Sequence, residues 1–245
     1  MQDPVDVGRN WYARYKEPPK KQMNLTGSND WVDFVRQSDK ITPMIYRKLR
    51  DHVGEPLAEK KILDFAAGVG RVALQLRARW GAPTHCRDVN PKAIKYLRKQ
   101  LAGVDCGVND YRPPLDIADG ELDGVYSVSL WTHLAPDFQM VWLEEMARIL
   151  KPGGVALITT SGPLALRSRQ QRGVPGWSDC TVEDLAEQGV IFRPYQDSLN
   201  THESYGLVAH HPDWIRAEWG KVMDVVAIHE RVIDDIQDLV ILAKR

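Results

Sequence analysis

Apolar residues first fall into a regular pattern at residue 31. Trp31, Phe34, Val35, Ile41, Ile45 and Leu49 recur at helical spacing, which predicts helix over 31–52. Pro43 lies inside that run and is expected to split it into two helices. The first 30 residues read as loop, punctuated by Pro18, Pro19, Gly27 and Asn29, with Trp11, Tyr12 and Tyr15 interleaved. From residue 61 short apolar runs alternate with helical stretches. Strands are predicted at 61–65, 83–88, 104–109, 122–130 and 155–160, and helices at 70–80, 90–101 and 136–150. Asn90 is a natural cap for the second of these helices, with Pro91 in its first turn. Lys151-Pro152-Gly153-Gly154 is a stop signal for the third. Repeating βα units of this length call for a parallel sheet covered by helices on both faces. Residues 161–211 break the rhythm with Pro, Gly and Arg and read as a substrate-shaping insert. A helix at 212–220 and strands at 222–230 and 237–243 close the chain, the two strands pairing as a hairpin across a short acidic link. The expected organisation is a loop or lid segment over 1–30 and one domain over 31–245.

Composition narrows what such a domain does. The chain has 245 residues, 43% of them hydrophobic, enough for a real core and too many for a disordered chain. Its 32 basic and 33 acidic residues give a net charge of -1, without the basic surplus of a nucleic-acid binder. Cys86, Cys106 and Cys180 are odd in number and form no CxxC. They suggest free thiols rather than a disulfide framework or a zinc site, so no metal is expected. Residues 1–15 lack a basic-then-apolar leader, and no run reaches the ~18 apolar residues of a membrane span. A reducing cytoplasm, away from the membrane, is the expected home.

The chemistry concentrates in Ile62-Leu63-Asp64-Phe65-Ala66-Ala67-Gly68-Val69-Gly70-Arg71-Val72-Ala73. An apolar strand runs into small residues and then opens a helix. Glycines there allow a sharp turn and a close approach to main-chain N–H groups. The helix start adds partial positive charge. Gly68-Val69-Gly70-Arg71-Val72-Ala73 formally fits the dinucleotide pattern GxGxx(G/A), so a nicotinamide reductase is one reading. Asp64, four residues before Gly68, argues against it, because a carboxylate there repels pyrophosphate. The same carboxylate suits the ammonium of S-adenosylmethionine, whose own carboxylate suits the helix start. Asp88, 18 residues after Gly70, is placed to hydrogen-bond ribose hydroxyls. Asp110, after the third strand, is placed to meet an adenine amino group.

These residues resemble motif I of class I S-adenosylmethionine-dependent methyltransferases, DxGxGxG. Three further stretches agree in order and spacing. Arg87-Asp88-Val89-Asn90-Pro91-Lys92-Ala93-Ile94 resembles the acidic ribose loop. Leu122-Asp123-Gly124-Val125-Tyr126-Ser127 through Trp131-Thr132-His133-Leu134 resembles the fourth strand, FDxVxSxxxxxHL. Arg148-Ile149-Leu150-Lys151-Pro152-Gly153-Gly154 resembles the RxLKPGG ending before the fifth. Together they cover about residues 60–160. The resemblance implies a Rossmann-like α/β fold: a seven-stranded, mostly parallel sheet with helices on both faces and a C-terminal antiparallel hairpin. It implies that Asp64, Ala66, Gly68 and Gly70 hold the methionine part, Asp88 and Val89 the ribose, and Asp110 and Tyr111 the adenine. Ser129 and Leu130 would lie beneath the methyl sulfonium. Ala66 and Ala67 depart from the family's glycine and small residue. Alanine accepts a right-handed backbone but not a positive φ, so the departure bears on cofactor affinity rather than on fold.

Residues just beyond the fourth strand narrow the acceptor. An (D/N)PP(Y/F) run marks nucleobase amino methylation, and here the position reads Ser127-Val128-Ser129-Leu130. The paired-glutamate loop of protein arginine methyltransferases is absent too. A small-molecule acceptor remains, such as a hydroxyl of a sugar or secondary metabolite. A methyltransferase fold repurposed for another task is the remaining alternative. A hydroxyl acceptor calls for a base. His133, after the fourth strand, and His211, at the end of the insert, are the candidates, with His202, His210, Glu203 and Tyr205 behind them. Arg71, at the helix start, faces either ligand or solvent.

Overall fold

The structure is a computed structural model that describes residues 10–174, 176–177, 179–195 and 202–245. The first nine residues and 196–201, parts of the expected lid and insert, lie outside the described residues. The chain divides into two compact units: Met1–Tyr111 with Leu122–Tyr126, and Arg112–Glu121 with Ser127–Arg245.

In the first unit, α1 (Lys20–Leu25) and α2 (Trp31–Val53) precede β1 (Ile62–Phe65), α3 (Ala73–Trp80), β2 (His85–Asp88), α4 (Pro91–Gln100), β3 (Asp105–Val108) and β4 (Leu122–Ser127). β1 runs parallel to β2 and to β4, and β2 runs parallel to β3. All four residues of β1 are buried, as expected of a central parallel strand. Trp11, Phe34, Leu74, Ile94 and Leu97 form the core beside it. α1 forms where loop was expected; Pro19 sits at its N-cap and starts the turn. Pro43 does not split α2. It removes one backbone bond, while Phe34, Ile41, Ile45 and Leu49 stay buried along one face and hold the helix together.

In the second unit, α5 (Pro136–Ile149) leads into β5 (Leu150–Thr160), then α6 (Pro163–Gln171), α7 (Val182–Gln188), β6 (Val190–Pro194), β7 (Gly206–His210), α8 (Pro212–Glu218), β8 (Asp224–Ile233) and β9 (Gln237–Ala243). β9 is antiparallel to β5 and β8, which is the expected C-terminal hairpin. β6 and β7 pair in a separate two-stranded sheet. The Lys-Pro-Gly-Gly stop ends α5, yet β5 begins there at once, because Gly153 N–H donates to Lys244 O and Lys244 N–H to Gly154 O. β4 ends three residues earlier than predicted, and Ser129, at φ +65°, is the turn beyond it.

The seven-stranded, mostly parallel sheet has the order β3-β2-β1-β4-β5-β9-β8. This is the doubly wound α/β arrangement that the alternating pattern called for.

Asn90 caps α4 as expected, its Oδ1 accepting from Lys92 N–H and Ala93 N–H, while its Nδ2 donates to Gln22 Oε1 at 2.8 Å. Asn90→Ala is therefore expected to cost about 1–2 kcal/mol of stability, read as a lower denaturant midpoint at unchanged slope.

Candidate active-site residues

β1 ends in the glycine turn, and three residues of that turn take positive φ: Ala66 (+63°), Gly68 (+54°) and Gly70 (+79°). The turn is pinned to β2. Ala66 N–H and Ala67 N–H both donate to Arg87 O, at 2.9 and 3.1 Å. Gly68 N–H donates to Asp88 Oδ2 at 2.7 Å, and Asn90 N–H donates to Asp88 Oδ1 at 2.7 Å. Gly70 must be glycine on two counts. Its φ favours no side chain, and a Cβ there would meet Leu97 Cδ2 at 2.7 Å. Arg71 Nη1 donates to Thr26 O at 2.7 Å and to Gln37 Oε1 at 2.6 Å. It thereby ties α1 and α2 to the turn.

Two buried carboxylates sit under this loop. Asp64 is 4% exposed, and its Oδ2 accepts from the Tyr126 hydroxyl at 2.9 Å. Burial pushes its carboxyl up to about 7, and the charge of Asp88 adds to the rise; Tyr126, Arg71 and Ala73 N–H oppose it. Burial also raises Asp88, against the two N–H groups that it accepts from. Two acids strained toward neutrality make the turn a place for a cation and a diol, and a poor place for pyrophosphate. The residues therefore fit S-adenosylmethionine. Asp64 supplies charge toward an ammonium, and Asp88 keeps acceptor capacity for ribose hydroxyls. Val89 is half-buried beside it. Asp110 and Tyr111 are exposed after β3, Tyr111 at 46%.

The other candidates belong to the second unit. Ser129 N–H donates to Thr159 Oγ1 at 2.7 Å, and its hydroxyl accepts from Gln237 Nε2 at 2.9 Å; Leu130 is buried. His133 is the most elaborately held histidine. Its Nδ1 lies 3.0 Å from Gly206 O and 2.8 Å from the Tyr195 hydroxyl, and its ring stacks on Tyr205 at an interplanar angle of 7°. A carbonyl has no proton to give, so Nδ1 carries the proton and Nε2 keeps its lone pair. Burial depresses the imidazole below the ordinary histidine range, and the Arg169 charge adds to this. His211 caps α8, its Nδ1 accepting from Asp213 N–H at 3.3 Å. His210 is fully buried against Gln139 Oε1 at 3.0 Å and is pushed down to about 3 by burial. His202 bonds Ser204, and Glu203 is exposed. Sequence reasoning missed Tyr126, Arg169 and Tyr195. The register Asp64↔Tyr126 is a strand-pairing fact that no linear motif displays.

The conformation of Ala66 corrects the expectation of a right-handed backbone. An L-residue at positive φ costs about 1–2 kcal/mol, part of which glycine returns through its freer unfolded state. Ala66→Gly is expected to stabilise the protein by roughly 0.5–1 kcal/mol in chemical denaturation. A decrease in stability would show that the turn prefers a side chain.

Known proteins agree with this geometry. A family model described as a methyltransferase domain matches residues 62–154, from the start of β1 into β5. The chain is 31% identical over 121 residues to the biotin biosynthesis bifunctional protein BioHC of Cellvibrio japonicus, covering 47% of this chain and 22% of that protein. It is 28% identical over 155 residues to a fatty-acid O-methyltransferase of Mycolicibacterium smegmatis, covering 59% of this chain and 53% of that one. The chain thus spans about half or less of the length of these relatives. Its fold matches Streptomyces venezuelae DesVI over 100% of both chains, with a TM-score of 0.57 at 14% identity. The matched methyltransferase domain thus covers the β1 turn, β2, α4, β3, β4 and α5, and the sheet order agrees with the fold of the solved structure.

Proposed function

We propose that the protein transfers a methyl group from S-adenosylmethionine to a hydroxyl of a small acceptor, a sugar or secondary metabolite. The observation that carries this reading is the pair of buried carboxylates, Asp64 and Asp88, beneath a turn pinned open by positive φ angles. The same pair speaks against a nicotinamide reductase, whose pyrophosphate it would repel. When bound, S-adenosylmethionine supplies a methyl group activated by a cationic sulfur.

The chain's own residues then have separate tasks. Asp64, as the carboxylate, draws the ammonium to the turn. Ala66, Gly68 and Gly70 hold the methionine part with the backbone of the turn, at φ +63°, +54° and +79°. Asp88 accepts from the ribose hydroxyls, with Val89 packing on the sugar. Asp110 and Tyr111 attend the adenine, and Ser129 and Leu130 line the methyl end. Transfer is an in-line displacement, so holding the acceptor aligned supplies much of the rate. His133 Nε2 accepts the hydroxyl proton while Nδ1–H stays on Gly206 O. His211 is the second candidate, with a ring that already serves α8. Residues 161–211 shape the acceptor site, and 1–30 serve as the lid of a domain over 31–245. The even charge balance supports a small molecule over a nucleic acid, and no helix among the described residues is long and apolar enough to cross a membrane. An odd set of three cysteines with no CxxC supports a reducing, cytoplasmic setting.

Two results test this. Asp64 must be ionised to attract an ammonium, and its folded value is raised to about 7. Affinity for S-adenosylmethionine is therefore lost as pH falls through about 7, by up to tenfold per unit, and levels off above it. Calorimetry between pH 5.5 and 8.5 should show this slope. Asp64→Asn should flatten it and weaken binding by about 1–3 kcal/mol. An unchanged dissociation constant, or tighter binding of NADH, would defeat the reading. Next, radiolabelled S-adenosylmethionine with cell extract should yield a methylated small molecule. With that acceptor, His133→Asn should lower kcat by about 10²–10⁴ while cofactor affinity stays constant. Loss of activity on the acid side should fall below pH 6.5, since His133 must be neutral to take a proton and its value is depressed.

A further inference from the structure

Arginines drawn into the fold of this chain follow a rule that one of them breaks. Arg87 is 0% exposed, and its guanidinium meets Asp105 Oδ2 at 2.6 Å, Asp105 O at 2.9 Å and Cys86 O at 3.1 Å. Arg193, on the β6–β7 sheet, pairs with Asp179 at 3.0 Å. Arg169, on α6, is 8% exposed, and among the described residues its guanidinium meets no carboxylate and no hydrogen-bond acceptor. Its one close partner is Trp177, whose ring centroid lies 5.6 Å from Cζ. An aromatic face covers one side of a guanidinium and leaves its N–H edge unsatisfied. A largely buried cation with no counter-charge among the described residues is unfavourable, and its N–H edge is open to an anionic partner.

The Arg169 charge acts on both His133 and Tyr195. Nδ1–H of His133 is shared between Gly206 O and the Tyr195 oxygen, which leaves the Tyr195 proton available as a second donor. A planar cationic fork within electrostatic reach of a phenol donor has the chemistry that binds carboxylate or phosphate. The imidazole held there with Nε2 unprotonated is the base proposed above. An acceptor anchored by its anion therefore offers a hydroxyl to the same group of side chains.

We propose that Arg169 is the anion-binding, specificity-determining residue of the acceptor site, holding the carboxylate or phosphate of a hydroxyl-bearing small molecule. This rests on the methyl-transfer reading for what the molecule is, and on Arg169 for how it is held. The test uses the whole chain and three probes at equal millimolar concentration: lactate as carboxylate, inorganic phosphate, and glycerol as the neutral control. Thermal unfolding and the dissociation constant of S-adenosylmethionine are measured for wild type, Arg169→Gln, Arg169→Lys and Arg169→Met. Lactate or phosphate should raise the wild-type midpoint, and glycerol should not. The larger of the two shifts identifies the anion class. Arg169→Gln should abolish the shift, Arg169→Lys should keep part of it, and both should bind S-adenosylmethionine as wild type does. Arg169→Met should be at least as stable as wild type in anion-free buffer, which keeps the test readable if the glutamine variant folds poorly. No anion response in the wild type, or a response in Arg169→Gln or Arg169→Met as large as that of the wild type, overturns the proposal. Failure of the wild type to bind S-adenosylmethionine would instead strike the methyl-transfer reading and leave the anion result to be judged alone.

Discussion

Asp88 accepts a backbone N–H from each of two elements, Gly68 in the turn after β1 and Asn90 at the cap of α4. Those two bonds set the shape of the cofactor end of the first unit. They fix the distance between the β1 turn and the β2–α4 junction, and they do so with a charged group that would otherwise prefer water. Arg87 completes the joint from the same strand. Its carbonyl takes Ala66 N–H and Ala67 N–H, and its side chain is locked by Asp105. The residues that shape the turn are therefore the ones a ligand would meet. A substitution at Asp88 acts on binding and on loop geometry together.

The buried charges of the two units differ in sign and in completeness. In the first unit Asp64 and Asp88 are hydrogen-bonded by neutral donors, and no cation fully offsets them; Arg71 acts on Asp64 from a side chain already bonded to Thr26 and Gln37. In the second unit Arg169 is the cation left without an anion among the described residues. Asp238 is also buried there, with burial pushing it up to about 6, but its carboxylate takes Arg231 N–H and Gly162 N–H and holds the β8–β9 hairpin. Asp238 is thus structural, whereas Arg169 has no anionic partner among the described residues. The same accounting of donors and acceptors separates His210 from His133. His210 is sealed and kept neutral by burial, whereas His133 has one nitrogen engaged and one with a lone pair to offer.

How much of this was legible in the sequence depends on the range of each interaction. The βα alternation, the Asn90 cap, the glycine turn and the two acids are local patterns, and the structure forms each within a few residues of where the pattern put it. The first four strands were overdrawn by one to three residues, because pairing stops where a backbone leaves the sheet, as at Ser129, whereas β5 begins five residues before its predicted start. Pro43 misled for a different reason. A rule about one lost hydrogen bond was set against a whole buried face, and the face prevailed. Tyr126 lies inside the fourth-strand motif yet had no visible role, since only the parallel register of β1 and β4 brings it to Asp64. Arg169 and Tyr195 belonged to a stretch whose composition signalled only irregularity.

Ala66 shows where a motif comparison misjudges physics. The family pattern marks that position as glycine, and the natural inference from alanine is a different backbone. The structure keeps the positive φ and places the alanine in it. The reason is that Ala66 and Ala67 both donate to one carbonyl, Arg87 O, and that shared bond leaves the chain no right-handed alternative at the end of β1. Backbone hydrogen bonds from β2 impose the conformation, and the side chain tolerates it at a modest cost. The position therefore reports a constraint of the sheet, set by β2, more than a requirement of the ligand. Within the turn the tighter glycine is Gly70, where φ is +79° and a Cβ would meet Leu97 Cδ2 at 2.7 Å.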